Sequence, residues 1–183
     1  MRPVTVRGFR RVFNLARRHQ LEAGSTAGQA VAVLNVQEDA SSGLAGIAFP
    51  VPRAELARLD RRELLYRRAE GVVTHDFYSR ETSQPVVLYV GLTADELESA
   101  LPDVYREVAL KGFRGLLHDD LLPDDTYLTL CLQGAFSWGE AFGADFLQTT
   151  YLADGHTTLE AYLGMEEVER RLKEDIEEYI RTR

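Results

Sequence analysis

The sequence predicts an α+β fold, with extended segments gathered in the first half of the chain and helices in the second. That order separates α+β domains from doubly wound ones, in which strands and helices alternate. Two periodicities carry the prediction. The alternating, Val- and Phe-rich run "VTVRGFRRVFN" and the compact apolar run "PVVLYVGL" mark strands, and apolar residues three and four apart mark helices further on. A third observation bounds the size: 183 residues, 45% of them apolar and 27% charged, suit one well-buried domain.

The elements follow in order. Residues 4–14 read as a strand, and 17–28, with Gly, Ser and Thr, as a polar loop. "QAVAVLNVQ" (29–37) and "GLAGIAFPV" (43–51) read as two strands, and the intervening "EDASS" predicts an antiparallel hairpin. The period then changes. Pro52 suits a first helical turn, and Leu56, Leu59 and the 63–64 pair follow at helical spacing. "YRRAEGVVTHDFY" returns to extended structure and "PVVLYVGL" is a compact apolar strand. Thr93 with Glu96 three residues on is a capping box that opens a helix. Helices are expected over 102–117 and 124–142. The last segment carries Val168, Leu172, Ile176 and Ile180 as a narrow apolar stripe among mixed charges. The expected organisation is a domain over 1–163 and an amphipathic helix over 164–183 packed on it, with a homodimer contact as the alternative use of that stripe.

Composition excludes several function classes. No apolar run reaches the roughly 18 residues of a membrane-spanning helix. A net charge of −8 disfavours nucleic-acid binding, because phosphate backbones reward cationic surfaces. The first twenty residues are basic, yet they alternate like a strand and contain no secretory apolar core, so a cytoplasmic location is expected. One cysteine, Cys131, stands in the apolar string "YLTLCLQG" and reads as a buried structural thiol. With four scattered histidines beside it, no metal site is expected. "GAFSWG" places Ser137 one position off the nucleophile-elbow spacing and inside an expected helix. "HDD" (118–120) turns its three side chains in different directions on a helix. No phosphate-binding glycine loop or dinucleotide fingerprint occurs, so no cofactor is expected.

One acidic residue stands out by its surroundings: Glu63, in the arginine-rich "ARLDRRELLYRR". By the pattern alone it reads as a solvated helix residue. Taken together, however, several segments resemble the gamma-glutamylcyclotransferase-like superfamily. "VRGFRRVFN" is similar to that family's second strand. "GLAGIAFPVPRAELARLDRRE" resembles its strand and small helix ending in Leu-Asp-x-x-Glu, and "ELLYRR" places Tyr66 and Arg68 as its bacterial members do. "VVLYV" and "YLTLCLQGAFSWGEAFGADFLQTTYL" resemble its tyrosine-bearing strand and the helical segment after it.

The resemblance implies a reaction. A γ-glutamyl amine or peptide closes on itself to 5-oxoproline and releases the amine, with Glu63 as general base and then general acid. It also implies Tyr89 and Tyr127 as substrate-binding residues, with packing that leaves the hydroxyl at the surface as the alternative for each and Tyr105 competing for the place of Tyr127. The partner implied is a small γ-glutamyl molecule. In one respect the sequence departs from the family: no strand ending in Tyr-Gly-Ser-Leu is found in the 183 residues. A non-catalytic member that binds a small molecule or a protein partner is therefore the alternative expectation, and a helix-mediated interaction protein the third.

Overall fold

The computed structural model describes residues 1–18, 30–63, 65–93, 95–96, 99 and 121–164. The chain divides into two compact units, Met1–Arg11 with Asn35–Leu116 and Val12–Leu34 with Leu117–Arg183. Two long strands, β1 (Arg2–Arg18) and β2 (Ala30–Ala48), contribute residues to both. The mixture of sheets and helices is α+β, as the segment order predicts.

In the first unit, β1 begins with the alternation of a half-buried strand: Val4 and Val6 are buried and their neighbours are not. The short β4 (Thr74–Asp76) pairs with it antiparallel, Val4 opposite Asp76 and Val6 opposite Thr74. Gly8, at φ +82°, interrupts the alternation in a conformation that L side chains rarely adopt.

The hairpin expected at "EDASS" does not form. β2 runs unbroken through it, and its sheet neighbour is β1. Asp39 absorbs the local polar groups instead, accepting from the Ser41 N–H at 3.0 Å, the Ser41 hydroxyl at 2.6 Å and the Ser42 hydroxyl at 2.8 Å. Such side-chain bonds satisfy a polar stretch without reversing it. Arg10 reaches Gln37 at 3.4 Å and Asp39 at 4.0 Å, while Gly43 lies against the Val6 carbonyl. Partner numbers fall on one strand as they rise on the other, so β1 and β2 are antiparallel.

Helix α1 (Arg53–Arg62) starts after Pro52 and buries no residue fully. Behind it, β3 (Tyr66–Val72) and β5 (Val86–Gly91) form a separate antiparallel pair. Gly91 ends β5 for a steric reason: a Cβ there would lie 2.0 Å from Oδ1 of the buried Asn35. The predicted capping box is present, with the Thr93 N–H donating to Glu96 at 2.8 Å and the Glu96 N–H donating to the Thr93 hydroxyl at 3.3 Å.

In the second unit, Asp124 caps α2 (Asp125–Phe136) by accepting from the Tyr127 N–H at 3.0 Å. The single helix expected over 124–142 is two. Gly139, at φ +105°, breaks it, and α3 (Glu140–Thr149) begins there. Ser137 therefore sits at the C-cap of α2, its hydroxyl donating to the Gly134 carbonyl at 2.7 Å, and not inside a helix. Gly143 in α3 admits the Phe136 ring, whose Cδ1 would be 2.4 Å from a Cβ. Strand β6 (Thr150–Leu152), which pairs with β1, and the short α4 (Leu159–Leu163) follow. Leu128, Phe142, Phe146, Leu159 and Tyr162 from these helices are buried, as are Val12, Phe13 and Leu15 of β1.

Cys131 is half-buried in α2. The readings placed on most of 17–28, on 102–117 and 118–120, and on 165–183 fall outside the described residues. No helix among the described residues is long and apolar enough to cross a membrane.

Candidate functional site

The first unit carries a cavity of about 400 Å3, open to solvent and lined by Asp60, Tyr66, Arg68, Glu70 and Tyr89. Its construction follows from strand geometry. Residues 66 and 68 of β3 share one face because successive side chains of a strand point to opposite sides, and Glu70, at the irregularity between Ala69 and Val72, joins them in the lining. Register then supplies the fourth residue. Arg68 lies directly opposite Tyr89 in the β3–β5 ladder, and opposite residues of an antiparallel pair present neighbouring side chains on the same face. Asp60 comes from the last turn of α1, one turn before the chain enters β3.

These side chains are bonded to one another. The Tyr89 hydroxyl donates to Asp60 Oδ1 at 2.8 Å, and Arg68 Nη1 donates to Asp60 Oδ2 at 2.7 Å. Arg68 Nη2 meets Glu70 Oε1 at 2.7 Å. Burial works against the Arg68 charge, but Asp60 and Glu70 outweigh it and hold the guanidinium above its ordinary range. The Tyr89 phenol is also pushed up. Burial is the largest cause, followed by the hydrogen bond to Asp60 and the Asp60 charge; Arg68 opposes the shift and the Glu63 charge adds to it.

Glu63 is the C-cap of α1, its N–H bonded to the Leu59 carbonyl at 2.9 Å. Its side chain is 23% exposed and takes the Arg62 guanidinium on Oε1, at 2.7 Å from Nε and 2.5 Å from Nη2. Glu63 is not among the residues lining the cavity, though its charge is felt by Tyr89, which is. Of the arginines around it, Arg62 is on Glu63 itself, Arg58 pairs with Glu55, Arg67 with Glu38 and Glu96, and Arg68 with Asp60 and Glu70.

Tyr127 belongs to the second unit. It lies in the first turn of α2, where its ring meets Phe13 edge-on at 6.2 Å and 82°. Of the residues expected from the sequence to bind substrate, Tyr89 lines the cavity and Tyr127 packs against a buried core residue. Asp60 enters the sequence reading only as part of the Leu-Asp-x-x-Glu motif, with no role assigned, and Glu70 does not enter it as a site residue. A signal existed for Glu70 in the period-2 spacing Tyr66, Arg68, Glu70; for Asp60 the link to Tyr89 needs the register and the helix end, which spacing does not reveal. Among the described residues, no group of three or more His, Cys, Asp or Glu is placed to hold a metal ion.

No family model matches the chain, and no curated protein does. Among solved structures, it is similar to one described as a gamma-glutamyl cyclotransferase. The two are 11% identical, with a TM-score of 0.38, and the match covers 73% of this chain and 85% of the other. A likeness at that identity and TM-score speaks to neither the chemistry nor the site.

Proposed function

We propose that this is a gamma-glutamylcyclotransferase-like protein whose ligand site is the Asp60–Arg68–Tyr89 cavity, with Glu63 at the adjoining helix end as the proton carrier. One observation carries the reading. Tyr66 and Arg68 of "ELLYRR" and Tyr89 of "VVLYV", singled out through two separate segments of the sequence resemblance, line one cavity beside Asp60 of the Leu-Asp-x-x-Glu motif. Glu63 of the same motif lies close enough to act on Tyr89.

The chemistry asked of these residues is modest. A bound γ-glutamyl compound folds back so that its α-nitrogen faces its own γ-carbonyl. Glu63 takes one proton from the α-ammonium, the nitrogen–carbon bond closes a five-membered ring, that nitrogen gives up a second proton, and the bond to the departing amine breaks. Both protons end on the departing amine, one of them returned by Glu63, so it leaves as an ammonium and no net proton and no water is consumed. Holding the ends together replaces a bimolecular encounter, an advantage that reaches effective molarities of about 10^5–10^8 M in well-oriented cases. Arg62 meets Glu63 through Oε1, which leaves Oε2 as the atom to exchange the proton.

A second reading is favoured by a specific observation: Glu63 does not line the cavity. On that reading the site binds a small polar molecule without turnover. The test is release of 5-oxoproline from γ-glutamyl-n-butylamide and γ-glutamyl-alanine, followed by mass spectrometry. Turnover that falls about 10^2–10^4-fold in Glu63→Gln, the range for losing a general acid–base, is the expected result. Folded protein that binds these compounds and releases no 5-oxoproline contradicts the enzyme reading and leaves the binding one.

A further inference from the structure

The hydrogen bonds inside the cavity dictate which end of a ligand it can take. A carboxylate only accepts hydrogen bonds, so the 2.8 Å contact between Tyr89 and Asp60 Oδ1 uses the one hydrogen that the phenol owns. Tyr89 therefore faces a ligand with lone pairs alone. Glu70 is also acceptor-only; Arg68 engages its Oε1, and its side chain is largely exposed. Arg68 is the one cationic group of the lining, and both of its terminal nitrogens already face carboxylates, Asp60 and Glu70. Two carboxylates against one guanidinium leave the lining with a net negative charge.

We propose that Asp60 is the specificity-determining residue of this cavity: by taking the Tyr89 hydrogen and one arm of Arg68, it makes the site select an ammonium group and reject a carboxylate. The proposal rests on the reading that this cavity is the ligand site. It adds an orientation, since a γ-glutamyl compound would enter with its α-ammonium toward Asp60, Tyr89 and Glu70 and its carboxylate directed away. Asp60 acts here through Tyr89 and Arg68 as a positioning residue. The raised titration of Tyr89, caused after burial by Asp60, is the spectroscopic signature of that arrangement.

The experiment uses the full chain with ring-labelled tyrosine, the Tyr89 NMR signal being assigned from Tyr89→Phe. Two probes of similar length and opposite charge, 1,5-diaminopentane and glutarate, are titrated in turn. Neither contains a γ-glutamyl amide, so the result does not depend on turnover and separates failure of this proposal from failure of the cyclotransferase reading. The diamine is expected to shift Tyr89 saturably at a concentration at least about tenfold below any effect of glutarate. In Asp60→Asn, which keeps the size of the side chain and removes its charge, diamine affinity should fall at least about tenfold. The Tyr89 phenol should also titrate at lower pH than in the unsubstituted protein. If Asp60→Asn does not fold, Glu70→Gln provides the second variant, with a smaller loss of diamine affinity. Glutarate binding as well as the diamine, no response of Tyr89 to either probe, or a folded Asp60→Asn that binds the diamine as before would each overturn the proposal.

Discussion

Helix α1 of the first unit and helices α2 to α4 of the second hold their places by different means. None of the ten residues of α1 is fully buried; Glu55 pairs with Arg58 inside the helix and Arg62 with Glu63 at its end, while Asp60 ties the helix to β3 and β5 through Arg68 and Tyr89. The helices of the second unit instead bury Leu128, Phe142, Phe146 and Leu159. Exposed ion pairs contribute little to stability, about 0–1 kcal/mol each, whereas buried aliphatic and aromatic side chains are worth several times more. The difference teaches where to look for ligand chemistry. A polar network that does little for folding, built around a cavity, is free to be shaped by what it binds.

The contrast can be tested through substitutions whose expected effects run from large to small. Leu159→Ala, at a position with no exposed surface, should lower the unfolding free energy by about 2–5 kcal/mol in urea titration. A loss under about 1 kcal/mol would mean that the second unit is not held by its apolar core. Gly91→Ala forces a methyl against buried Asn35 in the first unit and should cost about 1–3 kcal/mol by the same measurement. Thr93→Ala removes one half of the capping box, for about 1 kcal/mol. Arg58→Ala breaks an exposed pair with Glu55 and should change stability by less than about 0.5 kcal/mol. A larger effect there would remove the ground for treating the charges of α1 as energetically minor.

Acid titration offers a matched pair, one carboxylate in each unit. Asp154 is held below the ordinary carboxylate range, first by the Thr157 hydroxyl and then by the N–H groups of His156 and Thr157. Asp76 is held low chiefly by the Ser79 N–H, with Tyr78 adding to it. A depressed folded-state value means that the stability each lends is present above the unfolded value, 3.8, and is lost as pH falls through the folded one. Asp154→Asn and Asp76→Asn should each flatten the decline of melting temperature below about pH 4 and leave its slope at neutral pH unchanged. A variant that steepened the acid decline would reverse the assigned sign.

Much of the architecture was legible in the residues because burial repeats with the period of the element. Val4 and Val6 alternate in β1, the half-buried Leu56 and Leu59 stand at helical spacing in α1, and Thr93 with Glu96 spells a cap that both hydrogen bonds realise. Two misreadings have one origin, a local signal overruled by what it meets in the fold. "EDASS" has the composition of a turn, but Asp39 satisfies its serines within a strand paired to β1. The helix expected over 124–142 looked continuous because its apolar spacing persists across Gly139, whose positive φ breaks it. The site was half legible. Tyr66 and Arg68 stand out in one segment and Tyr89 in another, yet only the β3–β5 register sets Arg68 against Tyr89, and only the end of α1 brings Asp60 to both. Register over twenty residues of intervening chain is not written in any local pattern.

The central claim is that charge and hydroxyl groups from α1, β3 and β5 form one ligand site served by Glu63. Its most direct test is to titrate γ-glutamyl-n-butylamide into the labelled protein while following Tyr89 and the appearance of 5-oxoproline in the same sample. The account predicts a saturable shift of Tyr89 with product formation in the unsubstituted protein, and in Glu63→Gln the same shift without product. Product formed at an unchanged rate by Glu63→Gln, or a Tyr89 signal indifferent to saturating compound in folded protein, would contradict it.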